Sequence, residues 1–236
     1  MPLELSIEEL VPRFPDFRVA VVVAENLALA TERPSALDGL IAEREAACRT
    51  RWEGLELSAI PGIAAWRGAY KGFGIRKTSY RSSVERLVKR VRAGERLPAV
   101  NTLVDAYNAV SLASVLCCGA DDLDRVAPPL AFRFARPGDS FIDMGAQPGE
   151  DPNDPPKDGE VVYADAHHVL CRRWNWRQDA RTGISPDTRR AIVTVQANGW
   201  GDLDAAAADL AGLLREFCGA TVRTAVADAA RPRIAV

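Results

Sequence analysis

Apolar and polar residues recur with two periods along this chain, and the helical period dominates its first half. Phe17 to Val23 (FRVAVVV) is a nearly unbroken β-branched run, which predicts a buried strand. Pro34 then opens a helical stretch to about Arg51, a position where proline's fixed φ suits a first helical turn. Ala59 to Tyr70 reads as helix, as does about Ser79 to Arg92, which Gly94 is expected to end. Val100 to Cys117 is apolar almost all round and predicts a long buried helix. Short strands are expected at Leu130–Ala135, Ser140–Met144, Glu160–Ala164 and Val169–Trp176, separated by turns such as the Pro- and Asp-rich 148–159. Ala191–Gln196 adds a strand, Asp202–Phe217 a helix with an Asp cap, and Thr221–Val226 a last strand. With helices mostly first, strands mostly later and no repeat or linker, the expected fold class is α+β, one domain over 1–236, with mixed sheets flanked by helices.

Composition narrows the function classes. The chain has 236 residues, 47% hydrophobic and 26% charged, with 15 prolines and 17 glycines. Such values exclude disorder, collagen-like repeats and coiled coil. The 30 basic and 32 acidic side chains nearly cancel to a formal charge of −2, so a nucleic-acid face has to be a local patch. No apolar run reaches the roughly 20 residues of a membrane span. Met1 to Phe14 lacks the basic start and apolar run of a signal peptide, and a cytoplasmic protein is expected.

Five cysteines (48, 117, 118, 171 and 218) are scattered without a C-x-x-C, which indicates neither a disulfide framework nor a zinc knuckle. The only histidines are the neighbours His167 and His168. Side chains of adjacent strand residues point to opposite faces, which disfavours a shared metal. A histidine-based nucleophilic engine is likewise disfavoured, and no cofactor or metal is expected. Gly72-Phe-Gly-Ile-Arg-Lys-Thr has the flavour of a phosphate loop but fails the G-x-x-x-x-G-K-[ST] spacing.

Three constellations remain. The stretch Arg76, Lys77, Arg81, Arg86, Lys89, Arg90 and Arg92, relieved by Glu85, is either a solvated helix face or a face for an anionic partner. In the apolar helix, Asn101, Asp105 and Asn108 fall at i, i+4 and i+7 with Tyr107 beside them. Asn101 suits an N-cap, whereas Asn108 lies inside the helix and either fastens neighbouring backbone or faces a pocket. In VLCRRWNWRQ, strand alternation sets Arg172, Trp174 and Trp176 on one face and Arg173, Asn175 and Arg177 on the other. The tryptophans would stack on a ligand base or pack in the core under arginine stems.

Together these stretches resemble the tRNA-editing (B3/B4) domain of the phenylalanyl-tRNA synthetase β-subunit, in particular its free-standing relatives. The resemblance runs from Leu97-Pro98-Ala99-Val100-Asn101 through Val104-Asp105-Ala106-Tyr107-Asn108 to Asp122-Leu123-Asp124. It resumes at 159–165 (GEVVYAD), at Trp174 to Arg177 and at Ser185 to Thr188, covering roughly residues 75–200. It implies the α+β editing-domain fold and hydrolysis of a wrongly attached amino acid from tRNA. Such editing is needed because binding alone separates similar side chains by only about 1–3 kcal/mol.

Carried over by residue, the resemblance puts Asn108 in the editing pocket; with that pocket read as a deacylase site, Asn108 and Thr182 are the candidate catalytic donors to the oxyanion. It also sets Tyr107, Gly119 and Gly183 at pocket positions, and the stacking reading adds Trp174 and Trp176 to the substrate pocket. On charge alone, contacts to the tRNA acceptor end are expected from Arg76, Lys77, Arg81, Arg173 and Arg177. Tyr107 stands where the synthetase has threonine, and Gly119 and Gly183 where it has a histidine and a glutamate. The size leaves no room for a synthetase core, so the expected function is a trans-editing aminoacyl-tRNA deacylase. A non-catalytic module that binds tRNA or a synthetase, or an amino-acid-binding protein, is the alternative.

Overall fold

The computed structural model describes residues 3–76 and 79–236, so Lys77 lies outside the described residues. In chain order the elements are β1 (Glu4–Ser6), β2 (Phe17–Glu25), α1 (Ser35–Arg51), α2 (Pro61–Gly72), α3 (Ser83–Arg92) and α4 (Thr102–Ser114). There follow β3 (Cys117–Asp122), β4 (Leu130–Phe134), β5 (Val161–Ala164), β6 (Val169–Arg172), β7 (Arg177–Gln178) and β8 (Arg190–Asn198). The chain ends with α5 (Leu203–Cys218), β9 (Thr221–Ala227) and β10 (Arg233–Ala235). The architecture is α+β, as expected. No helix among the described residues is long and apolar enough to cross a membrane.

Two sheets carry the fold. One runs β3-β8-β2-β9 and is antiparallel throughout; the other runs β10-β1-β4-β5-β6-β7, with β1 and β4 parallel. Strand β2 is apolar on both faces because it is covered on both. Ala20, Val22 and Ala24 pack with Leu103, Val110 and Leu210 of α4 and α5, while Val19, Val21 and Val23 join the larger core. That core also takes Trp66 of α2 and Phe132, Val161 and Leu170 of the second sheet. Trp174 fills its centre, edge-on to Phe14 and Phe17 at 4.8 Å and to Trp66 at 5.3 Å.

Three local expectations are corrected. The helix predicted to reach Cys117 stops at Ser114, because Val115 adopts a left-handed φ of 57° and turns the chain into β3. Ser111 Oγ donates to Leu116 O at 2.6 Å and holds that turn. The strand predicted over Val169–Trp176 ends at Arg172, since Arg173 (φ 46°) and Trp174 (φ 69°) are left-handed too. Such backbone costs about 1 kcal/mol or more per non-glycine residue and persists only where packing over-determines it. Here the Trp174 N–H donates to Val161 O at 2.7 Å while the indole is wholly buried. Alternation therefore fails across the turn, and Trp174 and Trp176 do not share a face. Ser140–Met144 supplies only isolated bridges at Ile142 and Asp143.

Trp174→Ala should thus cost about 3–5 kcal/mol in urea unfolding. Trp176→Ala, at a half-exposed position, should cost less than about 1.5 kcal/mol. Equal costs would contradict this division.

Candidate functional site

A pocket of about 350 Å³ opens where the edges of the two sheets meet. Strand β3 contributes Gly119 and Asp121 from the edge of the first sheet, and β8 contributes Thr194 and Gln196 behind them. Facing them are Tyr163 of β5, Cys171 of β6 and Gln178 of β7; α3 and α4 close the sides. Gly119 leaves the pocket open, because a Cβ built there would meet nothing within 4 Å.

The polar line along α4 divides as its spacing suggests. The side chain of Asn101 caps the helix by accepting from Val104 N at 3.0 Å. Asp105 accepts from Arg33 Nε at 2.9 Å and Val100 N at 3.0 Å, fastening the preceding segment. Asn108 is buried and lines the pocket, and its side-chain amide is used in no hydrogen bond to a described residue. Tyr107 lines it as well.

The floor is a chain of neutral hydrogen bonds. Tyr70 Oη donates to Asn175 Oδ1 at 2.9 Å, Asn175 Nδ2 to Gln196 Oε1 at 3.2 Å, and Gln196 Nε2 to Thr194 Oγ1 at 3.0 Å. A second set converges on Asp121 Oδ1, which accepts from Thr182 Oγ1 at 2.6 Å and Gln178 Nε2 at 3.0 Å. The Tyr163 hydroxyl is buried in the pocket without a partner.

Asp121 differs from every other buried carboxylate among the described residues. Glu45, Glu85, Asp105, Asp143, Glu160 and Asp179 each pair with an arginine. Asp122 and Asp165 accept backbone N–H groups. Asp121 has only two neutral side-chain donors, both on one oxygen. Burial pushes its pKa up to about 7, and the charges of Asp179 and Asp165 add to the shift. The thiols of Cys118 and Cys171 that touch the pocket are also raised by burial, so neither is a thiolate at neutral pH.

Of the residues expected in the site, the pocket gathers Tyr107, Asn108, Gly119, Trp176 and Arg177. Thr182 is fully buried and reaches the pocket only through its bond to Asp121. Gly183 faces Met144, whose Cε lies 2.6 Å from where its Cβ would be. Trp174 belongs to the core.

The expected phosphate contacts scatter. Arg76 is exposed on a separate depression with Lys71 and Arg81, and Arg81 pairs with the buried Glu85. Arg173 is buried, 3.2 Å from Glu160, with its guanidinium stacked on Tyr80 and Trp176 at 3.8 and 4.3 Å. It packs inside rather than facing outward. Arg177 pairs with Asp143 at the rim, beside Arg86 and Arg90 of α3.

Sequence reading missed Asp121, Tyr163, Gln178, Thr194 and Gln196 as site residues. A signal existed for two of them: in VTVQ the alternate positions Thr194 and Gln196 put polar side chains on one face of an otherwise apolar strand.

A carboxyl whose folded pKa exceeds its unfolded value of 3.8 keeps a proton that the unfolded chain has released. Its contribution to stability therefore falls as pH rises from about 4 to 7. Asp121→Asn keeps an oxygen for Thr182 and Gln178 but cannot ionise. Relative to wild type it should gain on the order of 3 kcal/mol between pH 5 and pH 8 in urea unfolding. A parallel pH dependence of the two proteins would contradict the assignment.

The B3/4 domain model matches residues 65–199, a stretch that contains every residue lining the pocket. Among solved structures, an N-terminal fragment of the phenylalanyl-tRNA synthetase β-subunit from Pyrococcus horikoshii is similar. Its TM-score is 0.44 at 13% identity, over 93% of this chain and 50% of the fragment. The chain thus spans half the length of that fragment. No curated protein matches the sequence. With more than half of its length accounted for by one family model, the chain belongs to the B3/4 domain family.

Proposed function

We propose that this protein is a trans-acting deacylase that hydrolyses the ester of a mischarged tRNA. The observation that carries the reading is the unpartnered amide of Asn108, facing a pocket with a neutral polar floor and a rim of Arg86, Arg90 and Arg177. A ligand with an uncharged reacting centre and a phosphate tail fits that distribution of charge.

The chemistry needs neither a covalent nucleophile nor a cofactor. In an aminoacyl ester, water attacks the carbonyl carbon and the bond to the ribose oxygen breaks. That oxygen leaves as a hydroxyl with a proton from the water. The protein's part is to hold water and ester in line, which alone lowers such barriers by several kcal/mol. The Asn108 amide N–H donates to the oxyanion as it forms. Thr182 acts at one remove, by fixing Asp121. A tRNA- or synthetase-binding module without hydrolysis is the second reading, favoured by Gly119 standing where the synthetase has a histidine.

Incubation with a panel of mischarged tRNAs, followed by release of the labelled amino acid, tests the proposal. At least one pair should be deacylated well above the spontaneous rate, and no acceleration with any pair would contradict it. Asn108→Ala should lower the rate about 10- to 100-fold while tRNA affinity stays within about twofold. Arg86→Ala and Arg90→Ala should instead weaken tRNA binding and each reduce its salt slope by about one.

A further inference from the structure

An anion buried without a cation is costly, and proteins either neutralise it or reserve it for a positively charged ligand. Asp121 is buried, at 4% exposed, and it is the one buried carboxylate among the described residues that meets neither arginine nor backbone N–H. Its Oδ1 takes both donors, and its Oδ2 accepts nothing from the described residues. Independently, the Tyr163 hydroxyl lies buried in the same pocket with no partner, its ring stacked 4.5 Å from Phe132. The Asn108 side chain lines the same pocket, and no described residue donates to its amide oxygen. Three acceptors therefore line one pocket without a donor to satisfy them. An ammonium group brings three N–H donors and no acceptor.

We propose that Asp121, Tyr163 and Asn108 form a subsite for a primary ammonium group, the free α-amine of the aminoacyl ester. The assignment rests on reading the pocket as a deacylase site. With it the pocket is dipolar: the carboxylate inside takes the ammonium, and Arg86, Arg90 and Arg177 outside face the phosphates of the terminal nucleotides. An N-blocked or amine-free ester loses the inner contact, so the subsite selects aminoacyl esters with an unmodified amine.

Calorimetric titration with amide-linked 3′-aminoacylamino-3′-deoxyadenosines tests this without hydrolysis. The probes carry alanine, serine, phenylalanine or lysine. Each is paired with a twin in which hydrogen replaces the α-amine. At least one amine probe should bind the wild type about tenfold or more tighter than its twin, the range of a charge-assisted hydrogen bond. Asp121→Asn should bring that ratio near one while leaving the twin's affinity within about twofold. Tyr163→Phe should narrow the ratio without abolishing it.

The proposal is overturned if no amine probe outbinds its twin, or if Asp121→Asn weakens both alike. It is also overturned if the lysine twin, which keeps its side-chain ammonium, binds as tightly as the lysine probe. The wild-type comparison decides even if the Asp121 variant does not fold. Amine selectivity without release from any mischarged tRNA would retain the subsite and sink the deacylase reading. Release without amine selectivity would do the reverse.

Discussion

Gln178 bridges the two sheets. Its amide nitrogen donates to the Ala120 carbonyl and to the Asp121 carboxylate, joining the last strand of one sheet to the edge strand of the other. The Asp122 N–H completes the seam by donating to Thr182 O at 2.8 Å. An exposed strand edge is open to pairing with another chain, and this one is closed by side chain and loop instead of a further strand. The seam covers 120–122 and stops at Gly119, which has no side chain to continue it. The pocket is the space left there. Its depth, its neutral floor and its single uncompensated carboxylate all follow from where the stitching ends.

Rigid packing beneath the seam makes such a site possible. Trp174 anchors the β6–β7 turn in the aromatic core, and the four-residue link from Arg173 to Trp176 then has little freedom. Arg173 lies over both Tyr80 and Trp176, and Arg177 also lies over the Trp176 ring at 4.6 Å. Arg173 thus braces the pocket wall from behind through stacking and a buried ion pair, and Arg177 lines it at the rim. The outward basic surface lies on α3, where Arg86, Lys89 and Arg90 are exposed while Glu85 turns inward to Arg67. Near-neutral overall charge conceals this separation of buried and exposed cations.

Much of the fold was legible, because β2, β8 and α5 carry unambiguous periods and α5 has its Asp cap. What escaped depends on tertiary context. Val115, Arg173 and Trp174 take left-handed backbone that no glycine announces, so the end of α4 and the end of β6 were misplaced. CCGADD has weak strand propensity, and β3 exists because β8 supplies its ladder. Without β3 there was no reason to place Asp121 beside Gln178. Gly119 is marked only by family resemblance, whereas Asn108 is also a polar residue inside an apolar helix. Thr182 and Gly183 were close in sequence to the site yet face Asp121 and Met144 rather than the pocket.

Asp121 is desolvated and makes no ion pair of its own, with Tyr107, Tyr163, Cys171 and the carboxylates of Asp165 and Asp179 as neighbours. Titration of its side-chain carboxyl by carbon-detected NMR, assigned against Asp121→Asn, measures this directly. The expected midpoint is about 7. A midpoint near 4, in the ordinary carboxylate range, would mean that the group is solvated or paired and would contradict it.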